Sequence, residues 1–143
     1  MTEFVDTNIL LYAHGINASK EPEKVVAAKD LLSTKWNDIF ITWQALMEFG
    51  ANVCKKSNLP LKDKQNLIRG YATLLDPDDS CQPSQIEIAM RLMEENKLSY
   101  WDANMIAAVS EQGGTVLYSE DLANGTSYAG VTIKSPFLMK SYK

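Results

Sequence analysis

Short apolar runs alternate along the chain with longer segments in which apolar residues recur every three or four positions. Runs of this length, bounded by polar residues, predict strands at Thr2–Val5, Asp38–Thr42, Thr115–Tyr118 and Val131–Ile133. The last of these is expected at the edge of the sheet, beyond a turn at Asn124-Gly125. A further short strand is predicted at Ser80–Gln82.

The longer segments carry apolar residues three or four positions apart, which is the spacing of one face of an α-helix. Thr42 and Ser99 are residue types that cap helix N-termini, and Gly113-Gly114 follows the last helical segment. Strands that alternate with helices predict an α/β fold with a mainly parallel sheet and right-handed crossovers. The expected helices are Ile9–Ala13, Pro22–Leu32, residues 43–56, Leu61–Leu75, a helix that starts at Pro83, and residues 100–112.

Length and composition favour a single domain that spans residues 1–143. No apolar run is long enough to cross a bilayer, and Glu3 and Asp6 interrupt the apolar start, which argues against a secretory signal. Cys54 and Cys81 form no CxxC motif or histidine cluster, so neither a disulfide framework nor a structural zinc site is expected. These features favour a cytoplasmic protein without membrane contact.

The net charge of −4 is unusual for a protein that binds nucleic acid, because phosphates repel an acidic surface. Such a protein needs a local basic surface or a bound cation. One basic cluster is a candidate RNA-binding surface, with a solvated helix face as the alternative interpretation. Its members are Lys55, Lys56, Lys62, Lys64 and Arg69.

Acidic residues follow two of the predicted strands. Asp6 comes directly after the first strand, and Ser119-Glu120-Asp121 follows the strand Thr115–Tyr118. Ligands bind beyond the carboxyl ends of strands in open parallel sheets, so these positions predict the start of a site. Local roles remain open, since Asp6 is also suited to capping the next helix and Asp121 to closing a turn.

Two more carboxylates lie on helices that lead from the same edge. Asp102 shares a helical face with Met105 and Ile106, and Glu48 shares one with Phe49. The alternatives are a capping box with Ser99 for Asp102 and an exposed position for Glu48. Two carboxylates about 5 Å apart repel by about 3 kcal/mol at an effective dielectric near 20, so a cluster of acids favours a bound cation. Oxygen ligands suit Mg²⁺ or Mn²⁺.

Four segments and a closing run carry a family resemblance. They are FVDTNILLYA (Phe4–Ala13), ALMEF (Ala45–Phe49), LSYWDANMIAA (Leu98–Ala108), VLYSEDL (Val116–Leu122) and GVTIKSPF (Gly130–Phe137). In this order and spacing they resemble the PIN domain family, and most closely the VapC-type ribonuclease toxins of type II toxin–antitoxin pairs. The resemblance covers almost the whole chain.

The resemblance implies a three-layer sandwich around a central, mainly parallel sheet of four to five strands. It also implies a metal-dependent endoribonuclease that cleaves single-stranded or loop RNA through metal-activated water. Such toxins form homodimers that a cognate antitoxin holds inactive. Asp6, Glu48, Asp102 and Asp121 match the catalytic and Mg²⁺- or Mn²⁺-binding acids, while Asn8, Ser119 and Glu120 match supporting polar positions. Glu120 remains an alternative to Asp121 as the fourth acid.

Three other functions are compatible with parts of this pattern. A catalytically inactive PIN-like module would bind RNA or protein but would not need the acids. A phosphatase of haloacid-dehalogenase type would need a second Asp two residues after Asp6, where this chain has Asn8. A structure-specific DNA nuclease would need more helices than this length allows. Trp43 and Trp101 lie close to matched acids, and a core or subunit contact is favoured for them over base stacking.

Overall fold

A five-stranded sheet forms the centre of the computed structural model, which describes residues 2–16, 21–77 and 82–138. The strand order is β2-β1-β3-β5-β4, and only the β4–β5 pair is antiparallel. The strands are β1 (Thr2–Val5), β2 (Ile39–Phe40), β3 (Gly114–Tyr118), β4 (Ser127–Tyr128) and β5 (Val131–Lys134).

Helices cover the sheet and contact one another in two groups. The helix α1 packs against α2 and α3, and α3 packs against α4; α5 pairs with α6, which contacts β3 and β5. The predicted α/β class with a central, mainly parallel sheet between helices is therefore confirmed. None of the helices in the described ranges is long and apolar enough to cross a membrane. Their bounds are α1 (Thr7–Ala13), α2 (Pro22–Lys35), α3 (Trp43–Lys56), α4 (Leu61–Ala72), α5 (Pro83–Asn96) and α6 (Tyr100–Glu111).

Two sequence predictions differ from the structure. The strand at Val131 was expected at the edge, but β5 lies between β3 and β4, so that prediction was wrong. The edge strand β4 has only two residues and no apolar pattern of its own, and a tight turn with positive φ at Ala129 and Gly130 joins it to β5. The helix α4 ends before Leu75, because Leu75 instead forms a parallel bridge with Ile41.

Two of the three residues of the strand predicted at Ser80–Gln82, residues 80 and 81, lie outside the described ranges. Gln82 is described, and it is the N-cap residue of α5.

Two glycines set the position of β3 against α6. Gly113 has a φ of +76°, which is the left-handed conformation that commonly ends a helix. A Cβ at Gly114 would lie 2.5 Å from Val109 Cγ1 and 2.7 Å from Phe4 Cδ1, so only glycine fits this junction. The buried side chains of Phe4 and Val109 can therefore pack where the helix returns to the sheet.

The order in which strands are added to the sheet reverses at β1. The chain passes from β1 to β2 on one side and later returns to β3 on the other side of β1. In open α/β sheets, the carboxyl ends of the strands at such a reversal form a crevice in which ligands bind. This crevice is where the sequence places Asp6 and the residues that follow Tyr118.

Candidate active site

A cleft of about 220 Å³ opens beyond the carboxyl ends of β1 and β3. All four acids that the sequence singled out line it. The lining residues of the described chain include no lysine, arginine or histidine, so the acids of this surface face no cation from the described ranges. They are Asp6, Thr7, Asn8, Leu11, Gln44, Glu48, Asn52, Trp101, Asp102, Met105 and Asp121.

Asp6 has two roles in the structure. It is the N-cap of α1, since its Oδ1 accepts a hydrogen bond from the Thr7 amide at 2.7 Å. Its Oδ2 accepts a second hydrogen bond from the hydroxyl of the fully buried Ser119, also at 2.7 Å. The capping role that the sequence suggested as an alternative therefore exists together with a place in the cleft.

Burial makes the charged form of Asp6 unfavourable. It raises the pKa of Asp6 from 3.8 to about 6, while the hydrogen bonds from Ser119 and Thr7 oppose the rise. The neighbouring carboxylates of Glu48 and Asp121 add to the rise by repulsion. A cation beside Asp6 would reverse this balance and favour the carboxylate.

Glu48 points into the cleft because α3 starts at the end of β2 with its N-terminus fixed. Thr42 caps that helix by accepting a hydrogen bond from the Ala45 amide at 3.1 Å. The Thr7 hydroxyl donates to Glu48 Oε2 at 3.0 Å, and the Gln44 amide donates to Glu48 Oε1 at 2.8 Å. Both oxygens of this carboxylate are thus oriented by neutral donors.

Asp102 lies in the first turn of α6, whose N-terminus Ser99 caps. The Ser99 hydroxyl accepts a hydrogen bond from the Asp102 amide at 3.2 Å, which is half of the capping box suggested from the sequence. The carboxylate of Asp102 lines the cleft and is partly exposed. The Gln44 amide also donates to the Trp101 carbonyl at 3.0 Å, so one side chain connects the starts of α3 and α6.

The two adjacent acids after β3 take different directions. Asp121 lines the cleft and accepts a hydrogen bond from the Asn8 amide at 2.9 Å. Glu120 instead accepts a hydrogen bond from the Tyr12 hydroxyl at 2.7 Å and forms an ion pair with Lys24. Glu120 is absent from the residues that line the cleft, so the geometry favours Asp121 as the fourth acid.

The cleft does not contain a finished metal site. Within residues 2–16, 21–77 and 82–138, no three Asp, Glu, His or Cys side chains converge closely enough to hold a metal ion as they stand. The donor set nevertheless suits a hard cation, because every charged group is a carboxylate. The side-chain oxygen of Asn8, which also lines the cleft, is buried and has no hydrogen-bond partner among the described residues, so it is available to accept from a ligand there.

The predicted basic surface lies away from the cleft. None of its five members lines the cleft, and Lys55 and Lys56 lie in the last turn of α3. Seven residues of helix separate Glu48 from Lys55, which is about 10 Å along the axis. A role of this surface in RNA binding stays a prediction.

Sequence reasoning predicted Asn8 and Ser119, which donate to Asp121 and Asp6, but it missed the neutral residues that orient Glu48. Thr7 and Gln44 hold Glu48, and the Asn52 side chain donates to the Glu48 carbonyl at 2.8 Å. Gln44 and Asn52 each lie one helical turn from Glu48, so the i,i+4 spacing was the available signal. Thr7 adjoins Asp6, but nothing local reveals its bond to a residue so distant in sequence.

The fold, unlike the sequence, has clear neighbours among known structures. No family model and no curated protein matches the sequence. The chain is similar to one from the structure of FitAB bound to the IR36 DNA fragment, with a TM-score of 0.68, 13% identity and coverage of 99% of this chain and 100% of that one.

A second similar structure is VapBC2 from Rickettsia felis bound to a DNA fragment from its promoter. The TM-score is 0.64 and the identity 16%, over 94% of this chain and 98% of that chain. At these identities the likeness concerns the fold, and it agrees with the PIN-like architecture that the sequence segments predicted.

Proposed function

We propose that this chain is a Mg²⁺- or Mn²⁺-dependent endoribonuclease that cleaves single-stranded or loop RNA, and that it acts as the toxin of a toxin–antitoxin pair. The observation that supports it most is the environment of Asp6. This carboxyl group is buried in a cleft with three more acids, and no lysine, arginine or histidine of the described ranges lines that cleft. A buried acid in acidic surroundings is unfavourable unless a cation joins it.

Three of the four proposed carboxylate ligands accept hydrogen bonds from neutral side chains of the protein. The ligands are Asp6, Glu48, Asp102 and Asp121, with the Asn8 oxygen as a further donor. A bound divalent ion supplies Lewis-acid chemistry, which polarises a phosphate and lowers the pKa of water. Hydrogen bonds from Ser119, Thr7 and Gln44 hold the carboxylates in orientation, as the outer partners of metal ligands do elsewhere.

The proposed partner follows from the resemblance and the structural neighbours together. The FitAB and VapBC2 structures are complexes bound to DNA fragments. The sequence segments resemble VapC-type toxins. We therefore propose that this chain also has a cognate antitoxin, which inhibits it. The homodimer is proposed on the resemblance alone.

A cleavage assay tests the proposed activity. The purified chain is incubated with end-labelled single-stranded RNA, a hairpin and a duplex in Mg²⁺, Mn²⁺ or EDTA. We expect cleavage of unpaired RNA in either metal and none in EDTA, and a large loss in Asp102→Asn. Glu111→Gln is the matched control, because Glu111 is an exposed acid at the other end of α6. Equal cleavage by Asp102→Asn and the parent would contradict the proposal.

A second candidate is a non-catalytic PIN-like module that binds RNA or protein. It is favoured by the absence, among the described residues, of three acids already gathered for a metal. This module would bind unpaired RNA in EDTA and would leave it intact in every metal. Under that outcome Asp102→Asn and the parent would also bind divalent ions equally weakly.

A further inference from the structure

Trp101 is an exposed aromatic residue at the rim of the acidic cleft. It is the second residue of α6, it directly precedes Asp102, and its side chain lines the cleft while 64% of its surface remains exposed. Trp43 is 51% exposed as well, so neither residue belongs to the core of this chain, and the subunit contact that the sequence also favoured stays a prediction. Only Trp101 is among the residues that line the cleft.

The position of Trp101 is fixed relative to the acids. The Gln44 side-chain nitrogen donates both to the Trp101 carbonyl at 3.0 Å and to Glu48 Oε1 at 2.8 Å. The Tyr100 ring meets the Trp101 ring edge-to-face, with 5.3 Å between the centroids. An aromatic side chain that is held in place loses little conformational freedom when a flat ligand packs on it.

The negative charge of the cleft favours a contact with RNA that does not depend on opposite charges. Its charged lining residues are all acids, and the basic surface begins about 10 Å further along α3. A phosphate backbone therefore meets little electrostatic attraction from the protein at the cleft itself. Stacking of a base on an aromatic ring needs no charge, and every base offers a face for it.

We propose that Trp101 stacks on an unpaired base beside the phosphate that is cleaved, which rests on the proposed function. A base within a duplex has both faces covered by its neighbours, so Trp101 would select unpaired over paired RNA. Because stacking tolerates every base, Trp101 would contribute little to the choice among sequences. The role assigned to Trp101 is thus recognition of an unpaired nucleotide.

Cleavage kinetics provide the first test. We expect Trp101→Ala to lower kcat/KM for a single-stranded RNA of about twelve nucleotides by about 5-fold to 150-fold, the range of one base–aromatic stack. Trp101→Phe should retain most of the rate, and Trp43→Ala, the matched control outside the cleft lining, should stay within about twofold of the parent. A loss in Trp101→Ala that Trp101→Phe does not restore would overturn the proposal.

Substrates that lack single bases locate the stacked nucleotide. At one position next to the cut, removal of the base should slow the parent and leave Trp101→Ala unaffected. A uniform penalty at all positions would overturn the proposal. The slope of log KM against log salt should be the same in the parent and Trp101→Ala, because no phosphate contact is lost.

A binding experiment in EDTA separates this proposal from the proposed function. A variant with Trp36→Phe and Trp43→Phe leaves Trp101 as the fluorophore, and the probe is a uridine oligonucleotide of about twelve residues. We expect quenching by the single strand and not by a matched duplex. Quenching without cleavage in any metal would support stacking by Trp101 and contradict the proposed nuclease activity. Cleavage without quenching would support the nuclease activity and contradict stacking by Trp101.

The remaining possible outcome is that Trp101 contacts a second copy of the chain and not RNA. If Trp101 lay between two copies of the chain, its emission would shift with protein concentration and Trp101→Ala would sediment as a smaller species than the parent. Either result, together with unchanged RNA affinity in Trp101→Ala, would overturn the stacking proposal.

Discussion

Two buried carboxylates near the start of the chain have opposite surroundings. Glu3 in β1 is 6% exposed and Asp6 just after it is 8% exposed. Glu3 accepts hydrogen bonds from Lys35 Nζ at 2.7 Å and from the Tyr118 hydroxyl at 2.8 Å. Asp6 accepts hydrogen bonds from neutral groups, and its charged neighbours are acids.

The comparison separates an acid whose charge is balanced within the fold from the acid that we propose to be functional. The fold supplies the cation for Glu3, since the Lys35 ammonium forms a largely buried ion pair with it. The described residues place no cation in the cleft beside Asp6. An acid that lies in a cleft, has a raised pKa and has no cation beside it is typical of a functional site.

The same contrast recurs at the end of β3. Glu120 pairs with Lys24 and accepts a hydrogen bond from Tyr12, whereas Asp121 in the next position meets the neutral amide of Asn8. The contact with Glu120 and burial raise the pKa of the Tyr12 hydroxyl to about 12, burial being the larger cause. In both pairs of acids, the one without a protein cation lines the cleft.

The largest expected effect is on catalysis. Asp6→Asn should lower the rate of RNA cleavage by about a thousandfold or more, because a bound ion supplies several kcal/mol of transition-state stabilisation that the variant forfeits. Glu3→Gln should leave kcat within a few-fold of the parent, since Glu3 does not line the cleft. Single-turnover cleavage of a labelled RNA measures both.

Folding controls accompany that measurement. Circular dichroism should give the same spectrum for the parent and Asp6→Asn, because an asparagine oxygen can still accept from the Thr7 amide. The contrast between the two acids would be refuted if Glu3→Gln lost as much activity as Asp6→Asn while remaining folded.

The next largest effect is on stability, on the Glu3 side of the comparison. Lys35→Met should lower the free energy of unfolding by about 3 kcal/mol, because it leaves the Glu3 carboxylate buried without its cation. Adding Glu3→Gln to this variant should recover part of the loss. Urea unfolding at neutral pH measures the difference. A loss below about 0.5 kcal/mol would contradict the prediction, because it would mean that the Lys35–Glu3 ion pair contributes no more than an exposed surface pair.

The sequence was sufficient for the parts of the site that depend on local pattern. Asp6 and Asp121 were found because apolar runs reveal where strands end, and parallel strands bring those ends together. Glu48 and Asp102 were found because each lies on an apolar helix face that ought to exclude it. The central sheet followed from the same alternation, and the structure confirms it.

What the sequence left open depends on contacts between distant segments. The choice between Glu120 and Asp121 was undecided because it depends on Lys24, which lies in α2. The two-residue strand β4 was missed because its pairing with β5 determines it, and this shifted the predicted edge of the sheet. The exposure of Trp101 was likewise invisible, since helical spacing does not show what covers a face.

An effect of at most the same size concerns the stability of Asp6→Asn in EDTA. The folded pKa of about 6 lies above the ordinary value of 3.8, so the folded state binds more protons between these limits, and the stability of the parent falls as the pH rises through them. Asparagine removes this dependence. The variant should match the parent below about pH 4 and exceed it by up to about 3 kcal/mol above pH 6.

Urea unfolding across this pH range, without divalent ions, measures the difference. Glu3→Gln serves as the comparison variant, because it removes a buried carboxylate that Lys35 balances within the fold. A parent whose stability rose steadily from pH 4 to pH 7 relative to Asp6→Asn would contradict the assigned environment of Asp6.

The smallest effect compares the two acids after β3 by their response to Mg²⁺ or Mn²⁺. A ligand at ten times its Kd stabilises the folded state by about 1.4 kcal/mol, so the melting temperature of the parent should rise on addition of the ion. Glu120→Gln should keep this rise, because its carboxylate faces Lys24 and Tyr12, whereas Asp121→Asn should lose most of it. Differential scanning calorimetry with Ca²⁺-free buffers measures the shift. If Glu120→Gln abolished the response and Asp121→Asn kept it, charge balance within the fold would not distinguish the functional acid from the structural one.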